Sequence, residues 1–442
     1  MVRIHLMSNP ILRINRRRVM AGLGAAVLGP HWPAIAAPAT PLALRAAAET
    51  VGLRPNQAET AAWALRTAAA AGTARFGQGE RLDLTVTNAL PVALALDCHG
   101  LDAAPGLEPL LAQKPLAAGA KASLELALGH AGTFLCALRP LGGGAQPVRP
   151  LALVATEKEP VAVDRDEVLL VEEWRLRADG TPVAAGADAG GAETIFTANG
   201  ALSQDISLRA HERLRLRLIN GSERRVIAVK IEGLDVRVMA LDSQPCEPFQ
   251  ARNGALVLAP GARVDAFIDA TGKPASASPI LLHDGQTARP IGRLVVADGP
   301  AARPAPLPAA PALPANGLPD RIDLKDALRV DMALGRSPAW TPAEELQPTA
   351  SPAFRARRGR AVVLALTNPA EKPTVFRLHG HHFRLLDRLD DGWKPFWLDT
   401  LAVEPGQTQR VALLAEHAGR WLVEACVTDW AAPRLVRWYS VE

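Results

Sequence analysis

The chain has 442 residues, 48% hydrophobic and 21% charged, a balance that excludes a disordered chain and allows about two to four separately cored domains. Its 49 Lys and Arg outnumber 45 Asp and Glu, but five of the arginines stand before residue 19. Without them 44 basic residues face 45 acidic ones, which lacks the clustered positive surplus that nucleic-acid binding requires.

Residues 1–36 contain Arg3, Arg13, Arg16, Arg17 and Arg18 and no acid, then a small apolar run from Val19 to Leu28 and a cleavage-type site at Ala34-Ile35-Ala36. This is the composition of an export signal. The paired arginines of Asn15-Arg16-Arg17-Arg18 resemble a twin-arginine signal, which implies export of the folded protein to the periplasm. The apolar run is shorter than the ~20 residues of a bilayer span, so cleavage is expected. No later stretch is long enough, so the mature chain is expected to have no transmembrane segment.

Three segments then repeat one pattern: Gly79 to Asn88 (GERLDLTVTN), His211 to Asn220 (HERLRLRLIN) and Gly359 to Asn368 (GRAVVLALTN). Each alternates like a half-buried strand and ends in Asn. A Gly turn follows each, at Gly119, Gly261 and Gly406, which lie 31, 41 and 38 residues beyond the Asn. One Tyr, nine Phe, nine Trp, 37 Pro and 35 Gly suit many short strands and turns. The expected fold is all-β, with three consecutive Greek-key β-sandwiches in which Leu82, Leu84 and Val86 face a core and Arg81, Asp83 and Thr85 face away.

The run Pro300 to Pro314 is too rich in proline for a helix or central strand and predicts an extended linker. The expected organisation is a signal at 1–36, sandwiches at 37–158, 159–299 and 322–442, and a linker at 300–321. Residues 37 to 70 are Ala-rich but are expected to open the first sandwich as strand. Cys98, Cys136, Cys246 and Cys426 have no metal-clip spacing; a Cys98–Cys136 disulfide is conceivable, and buried free thiols are the preferred expectation.

Further motifs are Phe196-Thr197-Ala198-Asn199-Gly200, Arg217 to Ser222, Asp242-Ser243-Gln244-Pro245, Leu258 to Asp265, Trp397-Leu398-Asp399-Thr400 and Glu404 to Thr408. Together with the triplicated strand they resemble the multicopper oxidases, a family of cupredoxin-like domains. The resemblance implies copper held by His-x-His motifs, with a Cys thiolate at the electron-accepting site. It also marks where this chain departs from the pattern.

The first ligand motif is here Asp97-Cys98-His99-Gly100, which keeps only His99. The second, after Gly132-Thr133-Phe134, puts Ala137 and Arg139 at its ligand positions. In the third, Thr374 and Arg377 replace ligands and His379 survives, with His381 and His382 outside the pattern. The fourth becomes Glu424, Ala425 and Cys426, followed by Trp430 and Leu435. Ala425 stands where the thiolate is needed, so no copper and no catalytic residue is expected.

By the same resemblance Asp97 is expected to face Arg377, and Glu424 to face Arg139, as charge-assisted pairs in place of metal. The alternative is one ion kept by His99, His379, Cys426 and Glu424. No Ser-His-acid constellation or phosphate loop appears elsewhere. The expected function is that of the copper-free SufI (FtsP) type within the family, a non-catalytic periplasmic scaffold bound to envelope or divisome proteins. The alternative is a copper-binding oxidoreductase with a reduced or rebuilt metal site.

Overall fold

A computed structural model describes residues 39–442 apart from 68–72, 143–145, 336–339, 348 and 387–391. The export-signal expectation falls on residues 1–36, outside the described residues. Among the described residues the chain is built of β-strands, and the only helical elements are single 3-10 turns at Pro105–Leu107, Arg252–Gly254 and Ala343–Glu345.

Six sheets pair off along the chain. Residues 40–156 form one sheet in the order Lys121–Ala127, Arg81–Asn88, Thr40–Val51, Thr60–Thr67, Val148–Arg149, and a second in the order Ala74–Gly77, Leu151–Thr156, Gly132–Leu141, Ala93–His99. Residues 165–296 form a six-stranded and a five-stranded sheet, and residues 328–441 a four-stranded and a six-stranded one. In each unit the repeated strand lies between an opening strand running parallel to it and a returning antiparallel strand. Arg81–Asn88 has Thr40–Val51 and Lys121–Ala127, Arg213–Asn220 has Arg165–Leu176 and Arg263–Asp269, and Arg360–Thr367 has Leu328–Ala333 and Thr408–Ala415. Alternate apolar side chains of each pair of sheets fill a core between them, as with Leu82, Leu84 and Val86 in the first.

The repeated Asn and Gly have one physical role. Asn88, Asn220 and Asn368 are fully buried. Each amide donates to loop carbonyls, Asn220 Nδ2 to those of Arg225 (2.9 Å) and Leu258 (3.0 Å), and each Oδ1 accepts a backbone N–H two residues on. The Gly N–H of each turn donates to the Asn carbonyl at 2.8–2.9 Å, and positive φ of 74°, 84° and 68° at Gly119, Gly261 and Gly406 makes that approach possible. The Asn thus locks the end of one strand to the start of its returning neighbour. Asn220→Ala would orphan these groups, and urea unfolding is expected to show a loss of about 1–3 kcal/mol.

Two features depart from simple alternation. All of Arg213–Asn220 is buried, because its arginine face is covered by the first sandwich and the linker. Arg217 pairs with Asp166 and Asp265 and donates to Thr133 Oγ1, Arg215 pairs with Asp265 and Glu157, and Arg213 pairs with Asp269 and donates to the Leu307 and Pro308 carbonyls. The proline-rich stretch is extended but clamped: Leu313 is buried beside Met239 and Phe267, and Asn316 donates to the Ala131 and Ser243 carbonyls.

Candidate functional site

Four strands bring the marked residues together. Ala93–His99 and Gly132–Leu141 are antiparallel neighbours that pair Asp97 with Ala137 and Cys98 with Cys136. In the third sandwich Thr374–Leu378 and Gly419–Val427 pair Arg377 with Glu424 and Phe376 with Ala425. The two pairs of strands meet side chain to side chain. Arg377 Nη1 and Nη2 donate to Asp97 Oδ2 and Oδ1 at 2.7 and 2.8 Å, a bidentate bridge between the first and third sandwiches.

The second expected pair forms differently. Arg139 is mainly a partner of Asp97, with Nε 2.9 Å from Oδ2, while its Nη2 lies 3.6 Å from Glu424 Oε2. Glu424 instead accepts from Arg434 Nη1 at 2.8 Å, and Arg434 Nη2 donates to Glu223 of the second sandwich at 2.6 Å. Arg434 has the shorter reach because it stands just before Leu435, which pairs directly with Ala425 next to Glu424. On the other flank His379 Nδ1 is 2.8 Å from Glu108 Oε1, and its Nε2 is 3.4 Å from Glu424 Oε1.

The result is a lattice of Asp97, Glu108, Glu223 and Glu424 with Arg139, Arg377, Arg434 and His379, buried at Asp97, Glu108, Glu424, Arg377 and His379 and partly exposed at Glu223, Arg139 and Arg434. Burial by itself would raise the Asp97 carboxyl, but Arg377 and Arg139 hold it well below the usual carboxylate range. Glu424 is likewise pulled well down, against burial, by Arg139, Arg434 and His379. Burial and Arg377 push His379 down, yet Glu108 and Glu424 outweigh them and raise it to about 9. His99 is kept neutral by burial and the nearby arginines. A cavity of about 20 Å³ beside Asp97, Glu108, Arg377 and His379 has room for about one water.

Copper can be tested against these donors. Asp97, His379 and Glu424 each present one ligand atom, all within 4.8 Å of one another. Both Asp97 oxygens already accept from Arg377 and Glu424 Oε2 accepts from Arg434, while His379 Nε2 is buried with no hydrogen-bond partner. Three guanidiniums on those carboxylates, from Arg139, Arg377 and Arg434, put positive charge where a cation would sit. Hydrogen bonds and guanidinium charge already engage both carboxylates of the set.

The other marked positions hold packing residues. Ala425 lies in the third core with Leu435 against it, and Thr374 Oγ1 donates to Asn368 Oδ1 at 2.9 Å. The Trp430 ring donates Nε1–H to the Ala184 carbonyl at 3.0 Å and lies under the Arg175 guanidinium. Cys426 is buried with its Sγ 3.7 Å from the Val427 carbonyl. His99 Nδ1 packs against Gly261, where an added Cβ would come within 2.6 Å.

His381 and His382 belong to a second polar centre. His381 Nδ1 is 2.7 Å from the Tyr439 hydroxyl, which itself donates to the His379 carbonyl. His382 Nδ1 is 2.8 Å from Asp102 Oδ2, and Nε2 donates to the Asp242 carbonyl at 2.7 Å. Arg263 bridges Asp399 through both Nη atoms and donates Nε–H to the Thr133 carbonyl. These groups come from all three sandwiches. Asp102 outweighs burial and raises His382 to about 9, while burial and the Asp399 charge push Asp242 up to about 6.

Sequence reasoning did not mark Glu108, Glu223 or Arg434. Arg434 had a signal, its place directly before Leu435, but Glu108 and Glu223 lie in loops that match no motif.

Family models described as multicopper oxidase match residues 166–278 and 321–442, together more than half of the chain. Among solved structures, a multi-copper oxidase from Pseudomonas thermotolerans is 24% identical with a TM-score of 0.77, covering 92% of this chain and 100% of that one. Lac15 from a marine microbial metagenome is 23% identical with a TM-score of 0.74, covering 91% and 100%. The McoA multicopper oxidase of Aquifex aeolicus is 15% identical with a TM-score of 0.74, covering 91% and 96%. A comparison with curated proteins finds no match.

Proposed function

This chain belongs to the multicopper oxidase family, and from that premise we propose that it is a non-catalytic member whose ion-pair lattice stands where its relatives hold copper. The observation that carries this reading is the bidentate Arg377–Asp97 bridge, which joins two family ligand positions by 2.7 and 2.8 Å hydrogen bonds. A pair of residues that satisfies itself needs no ion. Ala425 and Leu435, packed in the third core, support loss of the electron-accepting site.

With the arginine-rich leader, the reading extends to an exported periplasmic protein of the SufI (FtsP) kind, serving as a scaffold or stabiliser for divisome or other envelope proteins. One observation favours a second reading, a copper-binding oxidoreductase with a rebuilt site: the donor atoms of Asp97, His379 and Glu424 converge within 4.8 Å.

Metal analysis of the mature protein after incubation with copper and desalting separates the two, read beside its visible spectrum and phenol oxidation. The expected result is no retained copper, no blue band and no oxidation. About one tightly bound copper, lost in His379→Ala, would establish the rebuilt site instead.

A further inference from the structure

Cys98 and Cys136 are direct partners across the antiparallel strands Ala93–His99 and Gly132–Leu141, and their Sγ atoms lie 2.6 Å apart. No bond joins them in the structure. Directly opposed residues on neighbouring strands have Cβ atoms about 4.5–5.5 Å apart, close to the roughly 3.5–4.5 Å that a disulfide spans. A small inward shift of two side chains is all that bonding requires. We propose that Cys98 and Cys136 are a disulfide-forming pair, a cross-strand staple directly behind the ion-pair lattice.

The place of the pair gives the bond its purpose. Cys98 sits between Asp97 and His99, and Cys136 is next to Ala137 on the strand that presents Arg139. Cys136 is part of the first hydrophobic core and Cys98 packs against it. Linking them fixes the two strands whose side chains must hold the Asp97–Arg139 contact in register. It also closes a loop of 38 residues that the unfolded chain would otherwise explore. The inference goes beyond the copper-free reading and stands or falls separately from it, because neither sulfur belongs to the lattice.

The chemistry needs a disulfide oxidant such as oxidised glutathione. One cysteine thiolate attacks the oxidant's S–S bond and expels one glutathione thiolate, and the second cysteine attacks the mixed disulfide and expels the other. The protein pair loses two electrons and two protons, and the oxidant leaves as two thiols. In the folded protein the Cys136 thiol beside Cys98, burial and the Asp97 carboxylate all raise Cys98 well above the usual thiol range, which disfavours the attacking thiolate. The bond therefore forms while the two strands are open and is protected once they close. Cys246 and Cys426 are buried apart, each with no sulfur neighbour among the described residues.

The test holds reduced full-length protein with oxidised glutathione in urea below the unfolding midpoint, where local opening exposes the pair. Urea is then removed, remaining thiols are alkylated in denaturant, and peptides are mapped by mass with and without reduction. The expected result is a chain lighter by two hydrogens, with Cys246 and Cys426 alkylated directly and Cys98 and Cys136 only after reduction. The oxidised form should also unfold at a higher urea concentration than the reduced form. In Cys98→Ser/Cys136→Ser, and in Cys98→Ala/Cys136→Ala, oxidant should no longer change the midpoint. Direct alkylation of all four cysteines, a bridge to Cys246 or Cys426, or oxidised and reduced wild type unfolding together would overturn the proposal.

Discussion

Replacing Arg377 by methionine is expected to lower the free energy of unfolding by about 3–5 kcal/mol, the usual cost of removing one partner from a buried ion pair. Methionine keeps the apolar stem and most of the volume of arginine, so the loss reports chiefly charge and hydrogen bonding. Asp97 is 1% exposed and would keep Arg139 but lose both bonds from Arg377. Glu424 would lose the Arg377 charge 3.7 Å away while keeping Arg434. Arg377→Lys should recover only part of the loss, since an ammonium cannot bond both Asp97 oxygens in the same fork.

The double variant Asp97→Asn/Arg377→Met discriminates a self-satisfied pair from two independent buried charges. Asp97→Asn removes the carboxylate that Arg377→Met leaves short of a partner but also costs Arg139 its charged acceptor, so the two losses should be non-additive, with a coupling energy above about 1 kcal/mol. Urea unfolding of the wild type, the two single variants and the double variant provides the cycle. Additive single losses, or a loss below about 1 kcal/mol for Arg377→Met, would mean that the bridge does not hold the sandwiches together.

The fold was legible in the sequence because its signals are local. Alternation in Arg81–Asn88 marks the strand, and the Asn and Gly turn that close each repeat carry their own physical cause in the Asn hydrogen bonds. The site was legible only at positions that a motif numbers. Asp97 facing Arg377 was readable because the family resemblance assigns both to ligand positions, and the structure places them 2.7 Å apart. The partner of Glu424 was not, because Arg434 and Arg139 compete for it and distance decides, 2.8 against 3.6 Å. Glu108 and Glu223 reach the lattice through loop paths that no periodicity encodes. The buried arginine face of Arg213–Asn220 was hidden for another reason: alternation predicts which face turns from its own core, and only the neighbouring sandwich determines whether water covers it.

Alkaline pH is expected to loosen the junction of the three sandwiches before it disturbs any single core. His382, raised to about 9, is enclosed by Asp102, Asp242 and Asp399, with Arg263 and His130 nearby. Below about pH 6.5 the folded and unfolded chains both carry its proton, and the full stabilisation by Asp102 is present. Between that value and about 9 only the folded chain holds the proton, so stability is lost as pH rises. His379, also near 9, adds a loss of the same sign between the sandwiches joined by Glu108 and Glu424. Each imidazole contributes on the order of 3 kcal/mol at most across that interval. Asp242, raised to about 6, keeps a proton that the unfolded chain releases near pH 4, so its effect also falls with rising pH, but at a lower range. Asp97 and Glu424 act in the opposite direction and cost stability only in acid, as pH falls below the ordinary carboxylate range. Unfolding midpoints measured from pH 6 to 9.5 should therefore decline steadily. His382→Gln, which can donate to only one of the two oxygens, should be less stable at pH 6 but show a shallower decline. A flat wild-type profile between pH 6.5 and 9, or an unchanged slope in His382→Gln, would remove the His382–Asp102 contact from the forces that hold the sandwiches together.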